Sequence, residues 1–161
     1  MIKPAKADKI IQYVTLGIDH EIFAVDVENV HEIIDICPIS RVPNAPAYLA
    51  GMIDVRNKTV PVIDLRVKLG LSSIPPTQTT RIIVLDVMIN GRTLILGLIA
   101  DRVYEVTQLY DDGMEAPPDI GIRWHSQYIK GIGRRNDAFV IIIDLSHLFS
   151  DDGVALIKNS H

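Results

Sequence analysis

The sequence predicts an all-β protein made of two related halves, each a small barrel, packed around a shared apolar core. Three observations predict it. Short runs rich in Val, Ile and Leu, bounded by Gly, Asp, Asn or Pro, recur along the chain and read as strands. Helical signals are confined to short segments behind Asp64 and Asp144 and a terminal turn. Blocks of the first half return in the same order in the second half, which is the mark of an internal duplication.

The elements follow in chain order. Residues 13–16 and 22–27 are strands, and residues 17–20 form the turn between them. Residues 59–63 are the next apolar run. It leads into Asp64-Leu-Arg-Val-Lys-Leu-Gly70, a helical turn with an N-cap residue in front and a Gly behind. Residues 72–80, polar and Pro-rich, read as a linker. Residues 82–89 and 93–99 flank Asn90-Gly91, whose residues both tolerate the positive φ of a type I′ hairpin. Residues 139–143 are the last strand. Asp144-Leu-Ser-His-Leu-Phe149 repeats the capped turn, and residues 154–158 are expected as a terminal helical turn.

The repeat is explicit. Tyr48-Leu-Ala-Gly-Met52 matches Tyr128-Ile-Lys-Gly-Ile132, and Val60-Pro-Val-Ile-Asp-Leu65 matches Val140-Ile-Ile-Ile-Asp-Leu145, both at an offset of 80 residues. Glu28-Asn-Val-His-Glu-Ile33 matches Asp101-Arg-Val-Tyr-Glu-Val106 at an offset of 73. Each copy holds a hairpin, an acidic-Val-Glu segment, a Tyr-x-x-Gly turn, a strand and an Asp-capped helical turn. A copy of this size alone buries only about 60% of its unfolded surface, so the two are expected to share a core. The expected organisation is a single domain over residues 1–161. Its subdomains are 12–71 and 81–150, with strands exchanged between them and 72–80 as the linker.

Composition bounds the function. Of 161 residues 48% are hydrophobic and only 6% aromatic, so the core is aliphatic. A net charge of −4 argues against a nucleic-acid binder, because it does not attract phosphate backbones. Cys37 is the single cysteine, which leaves no disulfide or Cys-based zinc site within the chain and reads as a packing residue. His20, His31, His125, His147 and His161 lack metal-ligand spacing, and no metal or cofactor is expected. Neither a signal-peptide segment nor a bilayer-length apolar run is visible, so a soluble, cytoplasmic protein is expected.

One set of segments runs through nearly the whole chain: Val30-His-Glu-Ile33, Arg41-Val-Pro-Asn-Ala-Pro-Ala-Tyr-Leu-Ala-Gly51, Asp54-Val-Arg56 and Val60-Pro-Val-Ile-Asp-Leu-Arg66. Gly97-Leu-Ile-Ala-Asp-Arg-Val103 and Tyr128-Ile-Lys-Gly-Ile-Gly133 follow. On these segments the chain resembles the CheW-like family of chemotaxis coupling proteins. The resemblance implies two SH3-like five-stranded barrels around a hydrophobic core. It implies a non-enzymatic signalling adaptor that joins a chemotaxis histidine kinase, through a regulatory domain of the same fold, to the helical cytoplasmic tip of a methyl-accepting chemoreceptor. Neither nucleic acid nor direct membrane insertion is implied, although recruitment to membrane receptor arrays is. A small-ligand or nucleic-acid binding barrel is the alternative. An enzyme comes third, and would need a deep cleft around Asp101, Arg102 and Glu105.

The resemblance assigns partner contacts to Glu32 and Arg56, whose bland alternative is an exposed ion pair worth about 0–1 kcal/mol. Val30 beside Glu32 reads either as an exposed apolar anchor or as core, and Val106, with Tyr104 and Glu105 before it, raises the same question. Arg41 and Pro43 lie in a proline-stiffened segment suited to presenting a fixed loop or simply to connecting elements. The family reads Gly where this chain has Asn57, so Asn57 is expected at positive φ. At the 80-residue offset Arg56 aligns with Asn136, and the connector 107–128, with Trp124, is longer than its counterpart. Specificity is therefore expected where the copies diverge.

Overall fold

The computed structural model describes residues 10–110, 128–135 and 137–149. The first copy contributes β1 (Ile10–Ile18), β2 (Glu21–Asp26), β3 (Val30–Asp35), β4 (Leu49–Val55), β5 (Lys58–Asp64) and α1 (Leu65–Lys68). The second contributes β6 (Arg81–Ile89), β7 (Arg92–Ala100), β8 (Arg102–Tyr110), β9 (Ile129–Arg135), β10 (Ala138–Ile143) and a helical turn over residues 145–149. The expected Trp124 loop, Asn136, His125, His161 and the terminal turn 154–158 lie outside the described residues. Residues 107–110, expected in the long connector, instead continue β8.

Each copy opens on a hairpin with a two-residue turn. Asp19 at φ 57° serves the first, and Asn90 and Gly91 at φ 51° and 76° serve the second. A type I′ turn needs positive φ at both central residues and matches the right-handed twist of its strands, which is why Asn90 and Gly91 sit in the second turn.

Two five-stranded sheets result, in the orders β3-β6-β7-β5-β4 and β8-β1-β2-β10-β9. The copies therefore exchange whole hairpins. The β1–β2 hairpin joins β8, β9 and β10, while the β6–β7 hairpin joins β3, β4 and β5. The lent hairpins dock through the parallel contacts β5–β7 and β2–β10.

The burial pattern explains the exchange. On β6, Ile82 and Val84 point into the first barrel, and Ile83 and Leu85 into the core between barrels. On β10, Val140 and Ile142 fill the second barrel, and Ile141 and Ile143 face the shared core. Successive side chains alternate faces, so a strand buried on both faces reads as an unbroken apolar run. Phe23, Leu16, Leu65, Leu98 and Phe149 also meet in the shared core, and all are essentially inaccessible.

The first barrel closes through one bridge. Ser40 N–H donates to Met52 O at 2.9 Å, and Met52 N–H donates to Ser40 O at 2.8 Å. Gly51 sits beside that bridge at φ 150°, and a Cβ there would lie 2.2 Å from Ser40 O. The expected Tyr-x-x-Gly turn is thus a correction. Gly51 lies inside β4, and the constraint on it is the close approach of the closing segment.

The repeated Tyr and Asp are explained by one backbone bond in each copy. Asp64 N–H donates to Tyr48 O at 2.8 Å, and Asp144 N–H donates to Tyr128 O at 2.9 Å. Each Asp carboxylate then caps its short helix, accepting from Arg66 N at 3.0 Å and from His147 N at 3.1 Å. The Lys68 ammonium lies 4.3 Å from the Tyr48 ring centre and 5.6 Å from that of Tyr128, so the duplicated rings meet around one cation. Cys37 is half-buried against the interior of the first barrel.

Candidate partner-binding faces

The expected site residues fall on two faces, one per barrel. β3 carries the first. Its register slips between Val30 and Glu32 against Leu85 and Val84, which makes His31 the extra residue of a bulge. Arg56 at φ 51° and Asn57 at φ 68° form the turn between β4 and β5, as expected for Asn57. That turn reaches across the seam between the edge strands β3 and β4, and Arg56 Nε donates to Glu32 Oε2 at 3.1 Å. His31 Nδ1 lies 3.3 Å from Asp86 Oδ2, beside the same pair. Arg56 is 78% exposed, so the pair is a surface feature of low intrinsic energy.

Val30 is half-buried against the shared core, and on the opposite side of the strand Ile33 is 41% exposed. The bulge and the alternation behind it put His31, Ile33 and Asp35 outward.

β8 carries the second face. The same bulge recurs, with Val103 to Val106 opposing Leu16 to Val14. Thr15, skipped by the ladder, accepts from Glu105 N at 3.2 Å and donates to Glu105 O at 2.8 Å. Its buried hydroxyl thus satisfies the backbone groups that the bulge releases. The result is three consecutive exposed residues, with Tyr104 at 48% and Val106 at 53% on either side of Glu105. A regular strand would have turned one of them inward. Glu105 pairs with Arg135, at the end of β9.

That pair was missed in the sequence. Aligning the copies sets Asn136 opposite Arg56, yet the base that reaches the acid is Arg135, one position earlier. The only sequence signal was the Arg134-Arg135 doublet ahead of a turn. Arg134 itself stacks on the exposed Phe139 ring at 5.0 Å.

Arg41 and Pro43 are both exposed in the segment between β3 and β4. Arg41 lines a cleft of 330 Å³ with Cys37, Ile74, Asp64, Arg66 and Asp101 among its other walls. Asp64 is committed to its helix cap there, and Arg66 and Asp101 pair with each other at 2.8 Å. Arg102 and Glu105 do not line this cleft. Among the described residues no group of three His, Cys, Asp or Glu side chains could hold a metal ion. Among them, too, no helix is long and apolar enough to cross a membrane.

The comparisons with known proteins decide the family. The model of the CheW-like domain matches residues 12–153. The chain belongs to the CheW-like family. It is 26% identical over 152 residues to chemotaxis protein CheW of Treponema pallidum, covering 94% of this chain and 89% of that one. It is 29% identical over 145 residues to chemotaxis protein CheW of Klebsiella aerogenes, covering 90% and 84%. The crystal structure of the scaffolding protein TtCheW from Thermoanaerobacter tengcongensis superposes with a TM-score of 0.78 at 29% identity, covering 93% of this chain and 94% of that one. The paired five-stranded sheets are the two SH3-like barrels of CheW-like proteins.

Proposed function

We propose that this protein is a non-enzymatic chemotaxis adaptor that couples chemoreceptors to a histidine kinase through its two barrel faces. The observation that carries the reading is the pairing of CheW-like family membership with two duplicated bulged faces. Each face joins a charged pair across a barrel seam to exposed apolar residues. Interfaces favour such mixtures, with apolar anchors inside a polar rim. Glu32 and Arg56 would frame one contact, and Tyr104, Glu105 and Val106 the other. Arg41 and Pro43 would flank the first contact on a segment stiffened by Pro38, Pro43 and Pro46. The kinase contact is barrel against barrel, through a regulatory domain of the same fold. The receptor contact is a helix of the cytoplasmic tip lying along an apolar surface. The protein then acts in the cytoplasm, recruited to receptor arrays at the membrane by its partners.

Pull-down of the purified chain with a chemoreceptor tip and, separately, with the kinase regulatory domain tests the reading. Binding to both is expected. A folded chain that binds neither rules the adaptor out.

A further inference from the structure

Among the described residues the chain passes between the two barrels at two places. The first is a 3-10 turn over Val27–Asn29, between β2 and β3. The second is shorter: Asp101 alone separates β7 of the first barrel from β8 of the second.

The second crossing is clamped from several sides. Asp101 N–H donates to Gly17 O at 3.0 Å, and Thr79 Oγ1 donates to Asp101 O at 2.9 Å. The Asp101 carboxylate accepts from Asp19 N at 2.7 Å and from Arg66 Nη1 at 2.8 Å. Arg66 also donates from Nε to Ser72 O at 2.8 Å, and its Nη2 lies 3.8 Å from Asp19 Oδ1. One guanidinium thus ties α1 and the start of the linker to the lent hairpin and to the crossing residue. Its side chain is 12% exposed and that of Asp101 is 20% exposed, so water screens this pair far less than the pairs on the two faces. The planar fork of Arg66 spreads five donors over three nitrogens and so reaches partners on separate elements, whereas a lysine presents its three donors from a single nitrogen.

The duplication does not repeat the clamp. Ser146 stands where the first copy has Arg66, and Glu28 where the second has Asp101. Ser146 Oγ donates to Met88 O instead, and Glu28 N–H donates to Asp26 Oδ1. Only one crossing is therefore locked by an ion pair among the described residues.

We infer that Arg66 is a positioning residue: through Asp101 it sets the angle at which the second barrel, and with it the face of Tyr104, Glu105 and Val106, is held relative to the face of Glu32 and Arg56. β8 starts at Arg102, directly after the clamped residue, so any rotation at Asp101 is passed to that face. An adaptor with two partners needs this angle fixed, because ordering the faces in advance lowers the cost of engaging both. This consequence rests on the adaptor reading, whereas the angle itself does not.

Two measurements on the full chain test it, using Arg66→Met and the milder Arg66→Lys. In the first, spin labels are placed at Asp35→Cys and Gln108→Cys, one exposed position on each face, in a Cys37→Ser background. The distance distribution between them is read by pulsed electron resonance. A narrow distribution is expected in the parent, a broad or shifted one in Arg66→Met, and an intermediate one in Arg66→Lys. In the second, the receptor tip and the kinase regulatory domain are titrated singly and together. Each binary affinity is expected to stay within about twofold, while the gain from having both partners bound falls by about fivefold or more, the lower end of typical coupling factors. An unchanged distance distribution in Arg66→Lys and in folded Arg66→Met overturns the inference. So does an equal loss of binary and joint binding, which would make Arg66 a general support of the fold. If the parent chain binds neither partner, the adaptor reading fails, and the label distances still decide the role of Arg66.

Discussion

The two barrels carry the same bulged strand, yet they finish it differently. In the first, Glu32 draws its base from Arg56 in a turn at positive φ, and the pair is open to solvent. In the second, Glu105 draws on Arg135, the last residue of a strand and only 34% exposed. The base moved from the turn to the end of the preceding strand while the acid and the bulge stayed. A charged pair at this seam is therefore something the barrel geometry favours, since any long base at the hairpin end can reach the acid. What distinguishes the faces lies around the pairs: Ile33 and His31 on one, Tyr104 and Val106 on the other.

The largest expected effect bears on closure. Gly51→Asp puts a Cβ against the Ser40 carbonyl and should cost about 4 kcal/mol or more, enough to unfold the chain in a denaturant titration. A variant that melts like the parent would mean that the first barrel does not need its Ser40–Met52 bridge. Next comes the exchange of hairpins. Phe23 lies on a first-copy hairpin in the shared core, and Phe23→Ala should cost about 3–5 kcal/mol. Calorimetry should still show one transition, because neither barrel is built from one copy. Two separated transitions would show that the barrels are independent.

A smaller effect is expected in the Arg56-Asn57 turn. Asn57→Val should cost about 1–2 kcal/mol, since a β-branched residue opposes φ 68°. Asn57→Gly should change stability by about 0.5 kcal/mol or less, because relief of strain is offset by a more flexible unfolded chain. The smallest stability effects belong to the ion pairs. Glu32→Lys and Glu105→Lys should each leave stability within about 1 kcal/mol while weakening the binding of different partners. Loss of the same partner in both would erase the distinction between the faces. Double-mutant cycles should give small couplings of similar size to both pairs, since each joins one sheltered partner to one exposed partner.

Much of this was legible in the residues. Strand runs, the Asn90-Gly91 hairpin, both Asp caps and the duplication are local or periodic features, and short-range chemistry dictates them. Asn57 at positive φ was reached through the family resemblance, which puts Gly there, and Asn is one of the few other residue types that tolerate that backbone. Glu32 with Arg56 was reached through family resemblance, and their contact needed the barrel seam to exist.

Other features depended on contacts between distant parts of the chain. Val30 could be read outward or inward until the packing of β3 against β6 set its face. Gly51 looked like a turn residue because the segment that crowds it, Ser40, is remote in the pairing order. Arg135 was hidden because a copy-to-copy alignment cannot know which turn position points across a seam. Local preference thus specified two modules with two-faced apolar strands. Which module each hairpin would complete was settled by packing: strands apolar on both sides must be covered on both, and lending the hairpins fills two barrel interiors and the core between them at once.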